Sequence, residues 1–225
     1  MILIKASGLV RNDAKTHKCL LNPTDFTLAG GDRVALTGPS GSGKSVFLRA
    51  LALLDPLEEG SVFWRDKPVS GSGIPGYRRH VSYIAQRPAM LEGTVEDNLR
   101  YPFSLKVYHD LTFDRAAALR LAEQAGRDER FLDQQSSELS GGEAQIAALI
   151  RVLQLQPDVL LLDEPTASLD PESSREIESL VSAWFSGAKQ DDRAFIWISH
   201  DQEQAQRMSE RRLTMQAGTL SEYTT

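Results

Sequence analysis

The chain holds little that would suit it to an oxidising or a lipid setting. It carries one cysteine, Cys19, in 225 residues, so no disulfide can close within it. A single thiol fits a reducing compartment. No run of about 18 apolar residues occurs, so no helix that crosses a bilayer is expected. The first residues, Met1 to Ser7, lack the basic region and long apolar core of a secretory leader, and they read as a strand. Positive charge is short: 25 Lys and Arg against 31 Asp and Glu leave a net charge of -6. Nucleic-acid binding wants a basic face, so no nucleic-acid partner is expected. There is no internal repeat, no heptad run and no long low-complexity tract. What remains is 41% hydrophobic, enough for a proper core in one or two domains. A soluble cytoplasmic protein is the expectation.

Short apolar runs alternate with helical patterns. Val34 to Thr37, Val81 to Ala85, Val159 to Leu162 and Phe195 to Ser199 have strand length. Val159 to Leu162 shows no polar alternation, as in a strand covered on both faces. Helices between such strands imply βαβ units and a parallel sheet. The spacing predicts a helix after Asp170, with Asp170 as cap, Pro171 first, and Ile177, Leu180, Val181, Trp184 and Phe185 on one face up to a stop at Gly187. A second helix is expected from about Asp114 to Ala125, ended by Gly126. The first 30 residues and Gly60 to Val69 read as short antiparallel strands flanking the core. Gly71 to Gly76 reads as a loop, and Arg211 to Glu222 as a hairpin turning at Ala217 and Gly218. From about 87 to 155 strand signals thin out, which suggests a helical subdomain inserted into the sheet core.

The run Gly38, Pro39, Ser40, Gly41, Ser42, Gly43, Lys44, Ser45 fits the phosphate-loop pattern G-x-x-x-x-G-K-[ST] at every fixed position. The apolar strand before it and the apolar helix after it, which includes Val46, supply the required context. Glycines let the backbone wrap closely round a phosphate, and the helix start adds about half a positive charge. Lys44 would bridge the β- and γ-phosphates, and the Ser45 hydroxyl would ligate magnesium. The expected ligands are therefore a nucleoside triphosphate and Mg2+, the nucleotide being ATP on the family resemblance given next. Val159 to Leu162 runs into Asp163 and Glu164, two acids at the end of a buried strand. Asp163 is assigned to the metal shell. Glu164 points elsewhere and is assigned as the general base for the attacking water.

Leu139, Ser140, Gly141, Gly142 and Glu143 form a capping box as local structure. Two glycines after the cap leave that helix start bare. The run resembles the signature sequence of the ATP-binding cassette (ABC) family, and the resemblance covers essentially the whole chain, 1–225, with the motifs in the family's order. It implies a P-loop NTPase fold of α/β class, a RecA-like parallel-sheet core with an antiparallel β subdomain and an inserted helical subdomain. It implies that Gln86 is the glutamine that touches magnesium and the membrane partner. It implies that Ser168, Leu169 and Asp170 serve a dimer seam, and that His200 contacts the γ-phosphate. It further implies a homodimer in which each ATP lies between the phosphate loop of one copy and Ser140, Gly141 and Gly142 of the other. Three departures stand out. Arg11 to Leu21 holds no Phe, Tyr or Trp where the family stacks the adenine, and His17 is the nearest flat ring. Ile146 replaces the usual arginine, although Arg151 matches the later one. Ser45 stands for the commoner threonine.

The family resemblance implies an ATPase subunit on the cytoplasmic face of the bacterial inner membrane, paired with a separate integral membrane permease. The stretch from Gln86 to Pro102, with Met90 and Leu91, is the expected docking surface. The alternative is a non-transport ABC ATPase acting on nucleic acid or ribosomes. The overall sequence, including Gln86 to Leu99, is also similar to the ATP-binding subunit of bacterial iron-export transporters of the Fet type, which implies export of iron or manganese.

Overall fold

The four apolar runs become the strands of one sheet. The computed structural model describes residues 1–167, 169–187 and 192–223. In chain order its elements are β1 (Ile2–Asn12), β2 (Cys19–Ala29), β3 (Arg33–Thr37), α1 (Lys44–Leu51), β4 (Glu59–Trp64), β5 (Lys67–Pro68), α2 (Ile74–His80), β6 (Val81–Ile84), α3 (Val95–Arg100), α4 (Arg115–Gln124), α5 (Arg130–Asp133), α6 (Gly141–Leu153), β7 (Val159–Leu162), α7 (Pro171–Ser186), β8 (Ala194–Ile198), α8 (Gln202–Met208), β9 (Arg211–Gln216) and β10 (Thr219–Glu222). They fall into two units. One comprises Met1–Tyr83, Asp158–Glu164 and Lys189–Thr225, and the other Ile84–Pro157 and Pro165–Ala188.

The first unit carries the sheets. A six-stranded sheet has the order β10-β9-β3-β8-β7-β6, and a four-stranded one the order β2-β1-β4-β5. β3 runs parallel to both β8 and β9, and β7 parallel to β8. β7 and β8 are apolar throughout because both their faces are covered; every residue of each is buried. The core joins Phe26 and Leu28 of β2, Val34 and Leu36 of β3, Phe47 and Leu51 of α1, and Ile196 of β8. Phe26 meets Phe47 edge to face at 5.3 Å.

The flanking antiparallel strands are longer than expected. β1 and β2 each run for 11 residues, because bulge-like register shifts let the ladder continue past its irregular positions. The segment Gly71 to Gly76 is not a loop: a 3-10 turn at Gly71–Gly73 leads into α2. Pro75 suits a first helical turn, and buried Tyr77 fixes the helix by donating its hydroxyl to Leu51 O at 2.7 Å. Tertiary packing outweighs three glycines here. The hairpin turns where expected, with Ala217 and Gly218 both at positive φ.

The second unit is helical. α6 packs against α3, α4 and α7. Asp114 caps α4 by accepting from Ala116 N and Ala117 N, and Ala118, Ala122 and Ala125 form its buried side. Asp170 caps α7 by accepting from Glu172 N and Ser173 N. Among the described residues no helix is long and apolar enough to cross a membrane.

Candidate nucleotide site

The parallel strands bring their carboxyl ends to one edge, where open α/β sheets place ligands. Leu36 pairs with Ile198, and Leu162 with Trp197. The residues that follow these strands therefore converge. They are the loop Gly38 to Gly43, the pair Asp163 and Glu164, and Ser199 with His200.

The loop takes a backbone that only glycine tolerates at its key positions. Gly38 has φ 141° and Gly43 φ 108°. A Cβ on Gly38 would lie 2.3 Å from Met215 O, and one on Gly43 would lie 2.8 Å from Leu20 O. The loop is held from behind by the β9–β10 turn, where Gly218 N donates to Ser42 O at 2.8 Å. Pro39, Ser40 and Gly41 are exposed, and Val46 packs on the core. α1 begins at Lys44, so the first amides of that helix have no intrahelical acceptor.

Lys44 is 5% exposed. Its ammonium donates to Gly38 O at 3.0 Å and Pro39 O at 3.1 Å. Burial holds its pKa below the ordinary lysine value, against the opposing pull of Glu164 and Asp163. Glu164 Oε1 lies 3.9 Å from Lys44 Nζ. Ser45 Oγ donates to Asp163 Oδ1 at 2.9 Å. The other Asp163 oxygen accepts from the Tyr83 hydroxyl at 2.6 Å. Glu164 has φ 49°, the left-handed region that a non-glycine residue rarely enters. That backbone turns its side chain away from the partners of Asp163. Its Oε1 meets His200 Nε2 at 2.7 Å. The turn carrying His200 is pinned by Ser199 Oγ, which donates to Gln204 Oε1 at 2.8 Å, and by Trp197 Nε1, which donates to the same oxygen at 3.2 Å.

Lys44, Ser45, Asp163, Glu164 and His200 thus form one constellation in the first unit. Gln86, Ser140, Gly141, Gly142 and Asp170 belong to the second. Gln86 is exposed just past β6. Ser140 caps α6 as expected: its Oγ accepts from Glu143 N at 3.3 Å, and Glu143 Oε2 accepts from Ser140 N at 2.9 Å. Gly142 is needed for close packing, since a Cβ there would lie 2.9 Å from Ser173 Oγ. Asp170 Oδ2 accepts from that same Ser173 Oγ at 2.7 Å. Ser168 lies outside the described residues. His17 sits in the exposed β1–β2 turn at φ 55°. Sequence reasoning missed Tyr83, Gln204 and Ser173. For Tyr83 no local signal existed: its strand also holds Ser82, and its partner Asp163 lies 80 positions on.

A loop of this shape, with a buried lysine, a hydroxyl against one strand-end acid and a histidine against the next, defines a nucleoside-triphosphate site. The ABC transporter family matches residues 21–167, well over half of the chain. The chain belongs to that family and is one of its ATP-binding ATPase domains. It is 33% identical over 204 residues to the probable iron export ATP-binding protein FetA of Escherichia coli (strain K12), covering 91% of this chain and 86% of that one. It is 31% identical over 219 residues to the sulfate/thiosulfate import ATP-binding protein CysA of Pseudomonas syringae pv. tomato, covering 95% of this chain and 65% of that one. The ATP-binding cassette MJ0796, solved as a post-hydrolysis dimer bound to ADP and Pi, superposes with a TM-score of 0.84 over 99% of this chain and 100% of that one; at 23% identity it shows the shared fold.

Proposed function

We propose that the chain hydrolyses ATP to drive a separate membrane permease from the cytoplasmic face of the bacterial inner membrane, and that the exported solute is iron. The observation that carries the catalytic part is the meeting of Lys44, Ser45, Asp163, Glu164 and His200 at one sheet edge.

The loop Gly38 to Gly43 would wrap the β-phosphate, and Lys44 would exchange its two carbonyl partners for phosphate oxygens. Ser45 Oγ and Asp163 offer hard oxygen donors of the kind magnesium takes, already 2.9 Å apart. The ion, when bound, supplies charge neutralisation at the phosphates. Gln86 is proposed for the same ion and for the permease contact, on the family resemblance. Glu164 accepts a proton from water as the water oxygen bonds to the γ-phosphorus and the bond to the β–γ bridging oxygen breaks, giving ADP and phosphate. His200 steadies that carboxylate and would contact the γ-phosphate. Ser140, Gly141 and Gly142 would meet the nucleotide of a second copy, with Asp170 at the seam. The nucleotide then acts as a bridge whose hydrolysis opens the dimer, because the ligand binds the closed state better.

Exposed Leu91 and Tyr101 lie on the segment proposed to receive the permease. Iron is supported by the likeness to FetA. Replacing Glu164 with Gln should lower turnover by roughly 100-fold or more, keep ATP binding, and yield an ATP-stabilised dimer by light scattering. Turnover at the parental rate would show the base assignment to be wrong. Reconstituted with its permease in vesicles, the chain should show ATP turnover stimulated by iron; stimulation by sulfate instead would overturn the cargo.

A further inference from the structure

We propose that Tyr83 is a positioning residue for Asp163: its phenol holds the carboxylate in the one orientation that presents it to the nucleotide's metal ion. The inference rests on the magnesium role proposed above and adds a residue to it.

Asp163 is 5% exposed, so both its oxygens need partners inside the protein. Each has one. Ser45 Oγ donates to Oδ1 at 2.9 Å and Tyr83 Oη to Oδ2 at 2.6 Å. A carboxylate gripped at one oxygen can turn about its terminal torsion, which is a broad, soft rotation. Gripped at both, it cannot. The two grips differ in kind. Ser45 is itself assigned to the metal, so its hydroxyl geometry answers to that ligand. Tyr83 is not: it is half-buried, it packs against the core, and β6 fixes its backbone. The phenol is therefore the fixed reference and the serine the adjustable partner.

Tyr83→Phe keeps the ring and its packing and removes only the donor. A hydrogen bond to a charged group is the stronger kind, so its loss should weaken metal binding by about five- to tenfold. Two measurements separate this from a general loss of structure. Mn2+ binding to the intact chain with ATP, read by electron paramagnetic resonance, should show that weakening. ATP affinity in excess EDTA should stay within about twofold of the parent. Unchanged Mn2+ affinity, tighter Mn2+ binding, or an equal fall in metal-free ATP affinity would each overturn the role of Tyr83. If the parent itself showed no metal-enhanced ATP binding, the magnesium reading would fail first, and the two failures are thereby distinguished.

Discussion

Placing Ala at Gly142 tests how closely the start of α6 is packed. A Cβ there would lie 2.9 Å from Ser173 Oγ and 3.2 Å from Ser173 Cβ, with Leu169 Cδ2 in ordinary contact at 3.8 Å. Ser173 cannot turn its hydroxyl aside without cost, because that hydroxyl donates to Asp170 Oδ2 at 2.7 Å. The strain must then be met by shifting the first turn of α6 or of α7. Overpacking of this kind costs ~1–3 kcal/mol. Alanine recovers up to ~1 kcal/mol of helix propensity in a helix interior, and less in a first turn. The net cost should be about 1–2 kcal/mol. Ser173→Gly removes both crowding atoms, so Gly142→Ala should cost about 1 kcal/mol less in that background. The assay is urea unfolding of the parent, the two single variants and the double variant, without nucleotide. Trp184 of α7, 6% exposed, lies in the same unit and reports on it. Additivity within ~0.3–0.5 kcal/mol would refute the packing account.

Two further outcomes are expected. His200→Ala removes the 2.7 Å partner of Glu164; kcat should drop by roughly 100-fold while the KM for ATP changes little, measured as phosphate release, and an unchanged kcat would remove His200 from the machinery. The hydroxyl and backbone N–H of Ser140 hold the Glu143 carboxyl below its ordinary value of 4.5. A depressed folded pKa means that its stabilisation is present above that value and lost as the pH falls through the folded one. Glu143→Gln should therefore unfold with a flatter acid dependence below about pH 4.5 than the parent; parallel curves would deny the capping box any role in acid stability.

Much of the site could be read from residue order, and the reason is physical. A phosphate loop needs glycines whose positive φ no other residue supplies cheaply, so Gly38 and Gly43 are visible in the string. The caps at Ser140 and Asp170 were visible because a short polar side chain next to bare amides is a local event. The runs Val159–Leu162 and Val34–Leu36 were visible because burial on both faces strips them of polar residues. The misreadings came from contacts made across the chain. Nothing near Gly71 announces that Tyr77 will reach Leu51 and draw the segment into a helix. Nothing near Tyr83 announces that Asp163, 80 positions later, will take its proton donor. The 11-residue lengths of β1 and β2 likewise depend on bulges that no local pattern marks.

β3 carries the phosphate loop, yet both its sheet neighbours, β8 and β9, come from the far end of the chain. During synthesis the glycine cradle emerges well before β8 and β9, and β3 has neither sheet neighbour until they too have left the ribosome. Its closure depends on strand pairs of long sequence separation, which predicts slow maturation and a stretch of vulnerability to aggregation beforehand. A product that stops after β7 would own every residue of the cradle and still have no cradle.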